Sequence, residues 1–258
     1  MVDRLGVLRL AYRFPWLLLH VLVGTPLTVI CQSRFGRALR IGGQPLSDIT
    51  VRWWAGTVCR IFGVRRRQTG TISPRAQLVA ANHISWLDIQ LLHSMSAMGF
   101  VGKAEIRAWP IVGWLAKVGG TVFHERGSHD SASGVVSAMT QRLEEGGKVA
   151  IFPEGGILPG DRVKMFHARL FGAAIDTGVP VQPVALRYLR DGANYHDITF
   201  LPGEKTLDNF FRLLKQRPCT GEIHVLPVID SRGKKRRQLA GEAESAVRAA
   251  YEGAQIVG

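Results

Sequence analysis

The sequence has little cysteine and no arrangement of histidines that would hold a metal ion. Its three cysteines, Cys31, Cys59 and Cys219, are odd in number and lack CxxC spacing, which argues against a disulfide framework and against a zinc site. The eight histidines follow no ligand pattern such as HExxH, so no structural metal is predicted. This composition favours a reducing location that faces the cytoplasm.

Acidic residues and lysine are scarce at the beginning of the chain. Residues 1–75 hold twelve arginines, no lysine and two acidic residues, Asp3 and Asp48, so +10 of the net charge of +13 lies there. This part is also the most apolar, and a basic, apolar segment suits an anionic membrane surface better than a nucleic acid. The sequence also has no recognition helix rich in lysine and arginine and no aromatic RNA-binding signature, which disfavours a nucleic-acid binder.

A long apolar run lies within this basic segment. Residues Phe14 to Cys31 are apolar apart from His20 and two threonines. As a straight helix they would reach roughly 27 Å at ~1.5 Å per residue, just short of the ~20 residues that a crossing usually needs. Arginines on both flanks are awkward for a single crossing, and Gly24-Thr25-Pro26 would allow a bend. We therefore expect a re-entrant or interfacial hairpin within a membrane segment at residues 1–45, and no cleaved signal peptide.

A second amphipathic pattern follows at residues 47–64, where apolar residues recur at helical spacing. The adjacent Trp53 and Trp54 suit a membrane interface, but a helix packed on the core would show the same pattern. The sequence leaves both interpretations open.

From residue 78 onward, short apolar runs alternate with helical patterns. Predicted strands lie at 78–81, 99–103, 121–123, 148–152, 179–188 and 222–229, and predicted helices at 87–92, 106–118, 131–143, 166–177, 208–215 and 242–255. Strands and helices that alternate at short spacing imply parallel pairing. Because there is no internal repeat or low-complexity linker, we expect residues 46–258 to form one α/β domain with a mostly parallel sheet flanked by helices.

Polar residues follow the first of these strands. The stretch from Asn82 to Asp88 (NHISWLD) lies between a buried strand and a helix, and strands of an open α/β sheet present such residues to the crevice in which ligands bind. His83 is therefore a candidate general base, with Asp88 holding its ring in one tautomer and stabilising the imidazolium. Ser85 and Asp88 also fit a capping box, in which case His83 would be an ordinary loop residue.

A second unusual sequence, Phe152 to Gly156 (FPEGG), follows the fourth strand. Together the two stretches resemble the glycerolipid acyltransferase family, which includes the 1-acylglycerol-3-phosphate acyltransferases. The family's blocks occur in order between about Trp53 and Ile229. They are NHxSxxD (Asn82, His83, Ser85, Asp88), a GKxE stretch followed by Pro and Gly (Gly102, Lys103, Glu105, Pro110, Gly113), a basic residue after the next strand (Arg126), FPEG (Phe152, Pro153, Glu154, Gly155) and VPxxPV (Val179, Pro180, Pro183, Val184).

The resemblance implies an O-acyltransferase that needs no cofactor and moves a fatty acyl group from acyl-CoA or acyl-carrier protein to the free hydroxyl of a lysolipid. His83 would take the hydroxyl proton while Asp88 orients it, and an activated thioester needs no acyl-enzyme. The lack of a GxSxG elbow, and of cysteine in the blocks, agrees with direct transfer. Lys103 and Arg126 would hold a phosphate. The complete predicted substrate-binding set is Asn82, Ser85, Lys103, Arg126, Phe152, Pro153, Glu154, Gly155 and Gly156.

The chain departs from the family around the FPEG block. Many members that accept a phosphate continue this block as Thr-Arg, where this chain has Gly156-Ile157, and a common Phe-Lys-x-Gly run is replaced by residues 166–169 (FHAR). Arg162, Lys164 or Arg169 would have to substitute for the missing arginine. The first choice of acceptor is 1-acyl-sn-glycerol-3-phosphate, giving phosphatidic acid, and the alternative is lyso-ornithine lipid or another lysophospholipid.

A non-catalytic lipid-binding protein of the same fold is a further alternative, against which the intact pair His83 and Asp88 argues. The expected location is the inner (cytoplasmic) membrane, with the active site facing the cytoplasm. The expected partners are the lysolipid acceptor, the acyl donor and the membrane surface.

Overall fold

The structure, a computed structural model, describes residues 4–108, 113, 116, 119–124, 129–157 and 162–253, apart from the side chains of residues 103, 106, 124 and 129–133. The helices are α1 (Arg4–Leu19), α2 (Thr25–Cys31), α3 (Arg34–Ala38), α4 (Leu46–Ile61), α5 (Leu87–His93), α6 (His129–Glu144), α7 (Gly172–Thr177), α8 (Thr206–Lys215) and α9 (Arg236–Gly253). The strands are β1 (Arg40–Ile41), β2 (Gln44–Pro45), β3 (Val64–Thr69), β4 (Leu78–Ala81), β5 (Gly99–Lys103), β6 (Val122–His124), β7 (Val149–Ile151), β8 (Val181–Arg190), β9 (Ala193–Asn194) and β10 (Cys219–Val225).

One large sheet organises the described residues. Its strand order is β3-β10-β8-β4-β7-β5-β6, and β9 pairs with β8. Strand β8 runs antiparallel to β10 and β9, while the other neighbours are parallel. The predicted mostly parallel sheet with flanking helices is therefore confirmed. Because β4 and β7 are parallel neighbours, the loops that follow them leave the sheet at the same edge and lie side by side.

The middle of the sheet forms the core. All residues of β4 and β7 are buried, as are the first eight residues of β8, which fits the continuous apolar runs expected of strands covered on both faces. Helix α9 packs on β8, and α4 packs on α5 and β3. The strand predictions at the centre succeed because these runs leave little alternative to a buried strand.

Strand β3 is an edge strand that the apolar pattern does not reveal. It contains the exposed residues Arg65 to Arg67 and forms one end of the strand order, paired with β10. Charged side chains are common on edge strands because they discourage pairing with another chain. The first strand predicted from the sequence is 78–81, so the prediction misses β3, which ends at Thr69.

The N-terminal apolar segment is a continuous helix and not a hairpin. Helices α1 and α2 are joined by a π-helical turn at His20–Gly24, giving one helix of 28 residues from Arg4 to Cys31, within which an 18-residue stretch has a mean hydropathy of 1.8. Pro26 has no N–H to donate to the helical ladder, and the π-helical turn just before it accommodates that gap. The predicted reversal of the chain at Gly24-Thr25-Pro26 is therefore wrong, because the π-helical turn keeps the helix continuous.

One face of this helix is fixed to the rest of the fold. The buried Arg13 donates from Nη1 to the carbonyl oxygens of Leu214 and Gln216, at 3.0 and 2.9 Å, where the last carbonyls of α8 lack helical partners. Phe14 packs against Phe211 of α8, with ring centroids 5.9 Å apart. The chain therefore joins α1 to α8 through both a charge at a helix end and an apolar contact.

The opposite face of the helix is apolar and exposed. Its exposed apolar side chains are Leu5, Val7, Leu8, Tyr12, Trp16, Leu18, Leu19, Leu22, Val23, Leu27 and Ile30. The tryptophan pair of α4 divides between the two environments: Trp54 donates from Nε1 to Thr25 Oγ1 at 3.2 Å, whereas Trp53 is 43% exposed. The interpretation as a helix packed on the core is therefore confirmed for Trp54, and the membrane-interface interpretation stays a prediction for Trp53.

Candidate active site

His83 and Asp88 meet where β4 gives way to α5. Asp88 lies in the first turn of α5, and its side chain turns back so that Oδ2 is 2.9 Å from His83 Nδ1. A carboxylate can only accept, so the contact is a hydrogen bond donated by Nδ1–H, which leaves Nε2 as the basic nitrogen of the neutral ring. This is the arrangement that a general base requires.

The same carboxylate also caps the helix. Asp88 Oδ2 accepts the backbone N–H of Ile84 at 2.6 Å and that of Ser85 at 2.9 Å, and the Ser85 hydroxyl accepts the N–H of Leu87 at 3.3 Å. The bond from Ser85 to Asp88 is the return bond of the predicted capping box. The interpretation of Asp88 as a helix cap and its interpretation as the residue that orients His83 are therefore compatible, because Oδ2 accepts hydrogen bonds both from the backbone and from the histidine ring.

Tyr188, to which the sequence assigns no role, donates a further hydrogen bond to this carboxylate. Tyr188 of β8 donates its hydroxyl to Asp88 Oδ1 at 2.7 Å, and both side chains are buried. The prediction placed Tyr188 in a strand but assigned it no role, since a strand pattern does not show what a distant side chain meets. The available signal was a tyrosine inside a buried apolar strand, whose hydroxyl needs a partner.

The FPEGG stretch lies directly against the histidine. Phe152 stacks on the His83 ring with centroids 3.9 Å apart and planes 11° apart. Glu154 accepts the backbone N–H of His83 at Oε2 (2.6 Å) and that of Lys164 at Oε1 (2.8 Å). Burial raises the pKa of Glu154, while these two N–H donors act in the opposite direction. Glu154 thus ties the histidine loop to the segment that begins at residue 162.

The turn after β7 depends on glycine. Gly155 has φ of +80°, which favours a residue without a Cβ, and a Cβ added there would lie 3.5 Å from His167 Cδ2. Pro153 is buried, and Gly156 lies in the same bend. The backbone of this turn is therefore close to both Phe152 and His167.

Two other predicted residues make structural contacts. The Asn82 side chain both donates to and accepts from the backbone of Leu186, at 2.9 and 2.7 Å, and so fastens the end of β4 to β8. Ser85 is buried at the start of α5. Their predicted contacts with substrate stay predictions, as do those of Phe152, Pro153, Glu154, Gly155 and Gly156.

The two predicted phosphate ligands fall on parts of the chain that the structure does not describe. Lys103 is the last residue of β5, but its side chain is outside the described atoms. Arg126 lies outside the described residues, as does Pro110 of the same family block. Their roles therefore stay predictions.

A basic cavity opens beside Glu154. It has a volume of about 390 Å³ and is lined by Glu154, Arg162, Val163, Lys164, Met165, His167 and Arg248. Arg248 comes from α9 and is held by Glu244 at 2.8 Å, while the second oxygen of Glu244 accepts the N–H of Phe166 at 2.9 Å. Arg162 and Lys164 are predicted from the sequence, whereas Arg248 is not, because helical spacing on a terminal helix does not indicate which loop the helix covers.

Comparison with known proteins identifies the relatives of this arrangement. Residues 64–187 match the model of a family described as Acyltransferase. The chain is 39% identical over 209 residues to a lyso-ornithine lipid O-acyltransferase of Pseudomonas aeruginosa, covering 81% of each chain. It is 33% identical over 183 residues to a 1-acyl-sn-glycerol-3-phosphate acyltransferase of Neisseria gonorrhoeae, covering 68% of this chain and 69% of the other.

A solved structure has the same fold. The crystal structure of the 1-acyl-sn-glycerophosphate (LPA) acyltransferase of Thermotoga maritima superposes with a TM-score of 0.74, at 19% identity, and covers 96% of this chain and 95% of the other. At this identity the likeness concerns the fold alone.

Proposed function

This chain belongs to the glycerolipid acyltransferase family and is an O-acyltransferase of the lysolipid type, and we propose that its acceptor is lyso-ornithine lipid. The observation that carries this choice is the higher identity and coverage with the P. aeruginosa lyso-ornithine lipid enzyme than with the N. gonorrhoeae phosphate-accepting enzyme. The departure at Gly156-Ile157 supports it, because that is where phosphate-accepting members resemble one another and this chain differs.

The proposed reaction transfers the acyl group directly from a thioester to a hydroxyl, so that an oxygen ester forms as the thioester bond breaks. The Nε2 atom of His83 accepts the proton of the acceptor hydroxyl as its oxygen attacks the thioester carbonyl. When the tetrahedral intermediate collapses, the carbon–sulfur bond breaks and the thiolate takes the proton from His83. Asp88 stabilises the imidazolium between these steps. The products are the ester and a free thiol, and the proposal includes neither a cofactor nor a metal.

We place the acceptor head group in the cavity beside Glu154. Ornithine is an amino acid that carries a carboxylate and a basic amine and no phosphate, and the guanidinium fork of arginine matches a carboxylate. Lys164 and Arg248 line the cavity. Both oxygens of Glu154 already accept a backbone N–H, so this carboxylate is engaged with the loop and offsets the basic side chains only in part.

The membrane is the proposed source of the acceptor. The helix from Arg4 to Cys31 is long and apolar enough to cross a bilayer, but its buried face holds Arg13 against α8. We propose that it lies within one leaflet with its exposed apolar face toward the lipid chains. The active site would then face the cytoplasm, and the acyl donor, acyl-CoA or acyl-carrier protein, would enter from that side.

A second candidate acceptor is 1-acyl-sn-glycerol-3-phosphate. The observation that favours it is the basic lining of the cavity, where Arg162, Lys164 and Arg248 would also suit a phosphate. This acceptor is the one first predicted from the sequence. It already carries one acyl ester, and the transferred acyl group would form a second ester at its free glycerol hydroxyl.

One assay separates these candidates. The purified protein in lipid vesicles is given lyso-ornithine lipid, 1-acyl-sn-glycerol-3-phosphate or lysophosphatidylethanolamine, each with acyl-CoA and with acyl-carrier protein. We expect kcat/KM for lyso-ornithine lipid to exceed that for the other acceptors by about tenfold or more, a difference of about 1.4 kcal/mol. A preference for the glycerol phosphate would replace the proposal with the second candidate, and binding of lysolipid without any turnover would indicate a non-catalytic protein.

A further inference from the structure

The carboxylate of Asp88 has four donors, and they come from two parts of the chain, the loop from His83 to Ser85 and strand β8. Oδ2 accepts from His83 Nδ1 and from the N–H groups of Ile84 and Ser85. Oδ1 accepts from Tyr188, whose hydroxyl is 2.7 Å away. Asp88 is 0% exposed and Tyr188 is 2% exposed, so this contact is shielded from bulk water.

The four contacts divide unequally between the oxygens. Three donors converge on Oδ2, and they are all within the loop and helix that carry Asp88 itself. Tyr188 belongs to a different strand, β8, and it approaches the other oxygen. Rotation about the Cβ–Cγ bond moves both oxygens, so the three donors on Oδ2 and the phenol on Oδ1 resist that rotation together. Tyr188 therefore adds, from a different strand, to the contacts that hold the oxygen facing His83.

We propose that Tyr188 is a positioning residue of the acyl transfer, which acts through Asp88 by fixing its carboxylate and by drawing part of its negative charge away from His83. This inference rests on the proposed role of His83 as general base. The two proposals fail separately: retained activity in His83→Ala would end the base assignment whatever Tyr188 does.

The phenol is a donor at every working pH. Burial, and the charge of Asp88, raise the pKa of Tyr188 well above its ordinary value. Burial raises the pKa of the nearby Cys59 thiol to about 12, so this thiol stays neutral in the range in which histidines titrate. Glu154 approaches from the loop after β7, and burial and the charge of Asp88 both raise its pKa.

The sign of the effect follows from the charge on Asp88. Without the phenol, more negative charge stays on the carboxylate, so the imidazolium of His83 is stabilised and the base is protonated at higher pH. For Tyr188→Phe we expect the acid limb of the kcat/KM profile to move upward by about half a pH unit. The looser carboxylate should also lower the plateau kcat by about threefold to tenfold, with the KM for acceptor unchanged.

A matched control is Tyr195→Phe, which removes a phenol that interacts with Arg190 and does not contact Asp88. We expect it to leave the pH profile and kcat as in the wild type. The proposal is overturned if Tyr188→Phe lowers the melting temperature but leaves kcat and the acid limb in place, because the tyrosine would then serve packing alone.

A double-mutant cycle and a stronger donor give independent tests. In an Asp88→Asn background the further change Tyr188→Phe should have less than a twofold effect on kcat, since additive losses would show that Tyr188 acts elsewhere. If Tyr188→Phe does not fold, 3-fluorotyrosine at position 188 keeps the shape and strengthens the donor. It should move the acid limb downward, and an upward or absent shift would refute the proposal.

Discussion

The Nε2 atom is the basic nitrogen of His83 that is available for proton transfer, because Nδ1 is hydrogen-bonded to Asp88. Removing it in His83→Ala should lower kcat by on the order of 10² to 10⁴, the usual contribution of a general base. The fold should persist because Asp88 keeps its two backbone donors and Tyr188. Steady-state rates together with the melting temperature measure both effects.

The control for this variant is His196→Ala, which alters an exposed histidine outside the site and should have wild-type rates. Turnover by His83→Ala within a few-fold of the wild type would remove the histidine from the mechanism. A large drop in melting temperature without a proportionate loss of rate would favour the loop-and-cap interpretation instead.

Arg248 is the residue through which α9 reaches the acceptor cavity. Its side chain is 35% exposed, so a contact with a head-group anion is partly screened and should be worth about 1 kcal/mol, or roughly fivefold in KM. We expect Arg248→Ala to raise the KM for acceptor by about that factor while kcat and the KM for acyl donor stay constant.

The exposed Arg237, on the same helix, provides the matched control, because Arg237→Ala removes an equal charge away from the cavity. Equal effects of the two variants would mean that overall charge, and not a contact in the cavity, sets the KM. A loss of kcat alone in Arg248→Ala would also contradict the assignment, since it would indicate that Glu244 and the loop at Phe166 have moved.

At the level of elements, the outer face of α1 is the proposed membrane contact. Deleting residues 1–45 would also remove Arg13 from the end of α8, so substitution on the exposed face is the cleaner test. Leu8→Glu combined with Leu19→Glu places two charges on residues that are 61% exposed. We expect binding to anionic vesicles to fall by tenfold or more, because charges are costly at the boundary of the acyl chains.

Vesicle sedimentation and the melting temperature are measured for this variant and for Val228→Glu, an exposed apolar residue of the segment after β10. The control should bind vesicles as the wild type does. If the α1 variant also binds normally and keeps its melting temperature, the membrane contact lies elsewhere, and Trp53 of α4 becomes the next surface to change.

The sequence predicts best those elements whose composition is compatible with only one type of secondary structure. Strands β4 and β7 are wholly buried apolar runs, and the polar stretches after them resemble known blocks, so the meeting of His83 and Glu154 could be anticipated from parallel pairing. Strand β3 could not be predicted in this way, because its exposed residues Arg65 to Arg67 are charged and do not form the apolar pattern by which a strand is recognised. The contacts of Tyr188 and Arg248 are long-range, and neither periodicity nor spacing encodes which partner a strand or a terminal helix will meet.

The helix at the N-terminus shows a different limit of local patterns. Glycine, threonine and proline in sequence predict a bend, yet the π-helical turn at His20–Gly24 keeps the helix continuous. The reason lies in the tertiary contacts: His20 Nε2 is 3.1 Å from the carbonyl oxygen of Trp54, and Trp54 donates to Thr25. These contacts with α4 hold both halves of the helix on one axis, and a local pattern cannot include them.

For the whole molecule, His93 makes stability depend on pH. It ends α5 beside Phe100, at 4.9 Å between ring centroids, and within the described part of the chain its Nδ1 is shielded and has no hydrogen-bond partner. Burial lowers the pKa of His93 from 6.5 to about 4. The unfolded chain therefore binds a proton at higher pH than the folded chain does. This contribution to stability is complete above about pH 6.5 and is lost as the pH falls toward 4.

The variant His93→Leu removes that proton-binding difference, so its free energy of unfolding should fall less between pH 7 and pH 4.5 than that of the wild type. Urea denaturation at the two pH values measures both quantities, and the exposed His196→Leu should keep the wild-type dependence. Because the effect belongs to the unfolding equilibrium, the change should appear in the midpoint and not in the slope of the denaturation curve. An identical fall in the free energy of unfolding for wild type and His93→Leu would show that other groups, such as the carboxylates of the surface ion pairs, govern acid unfolding.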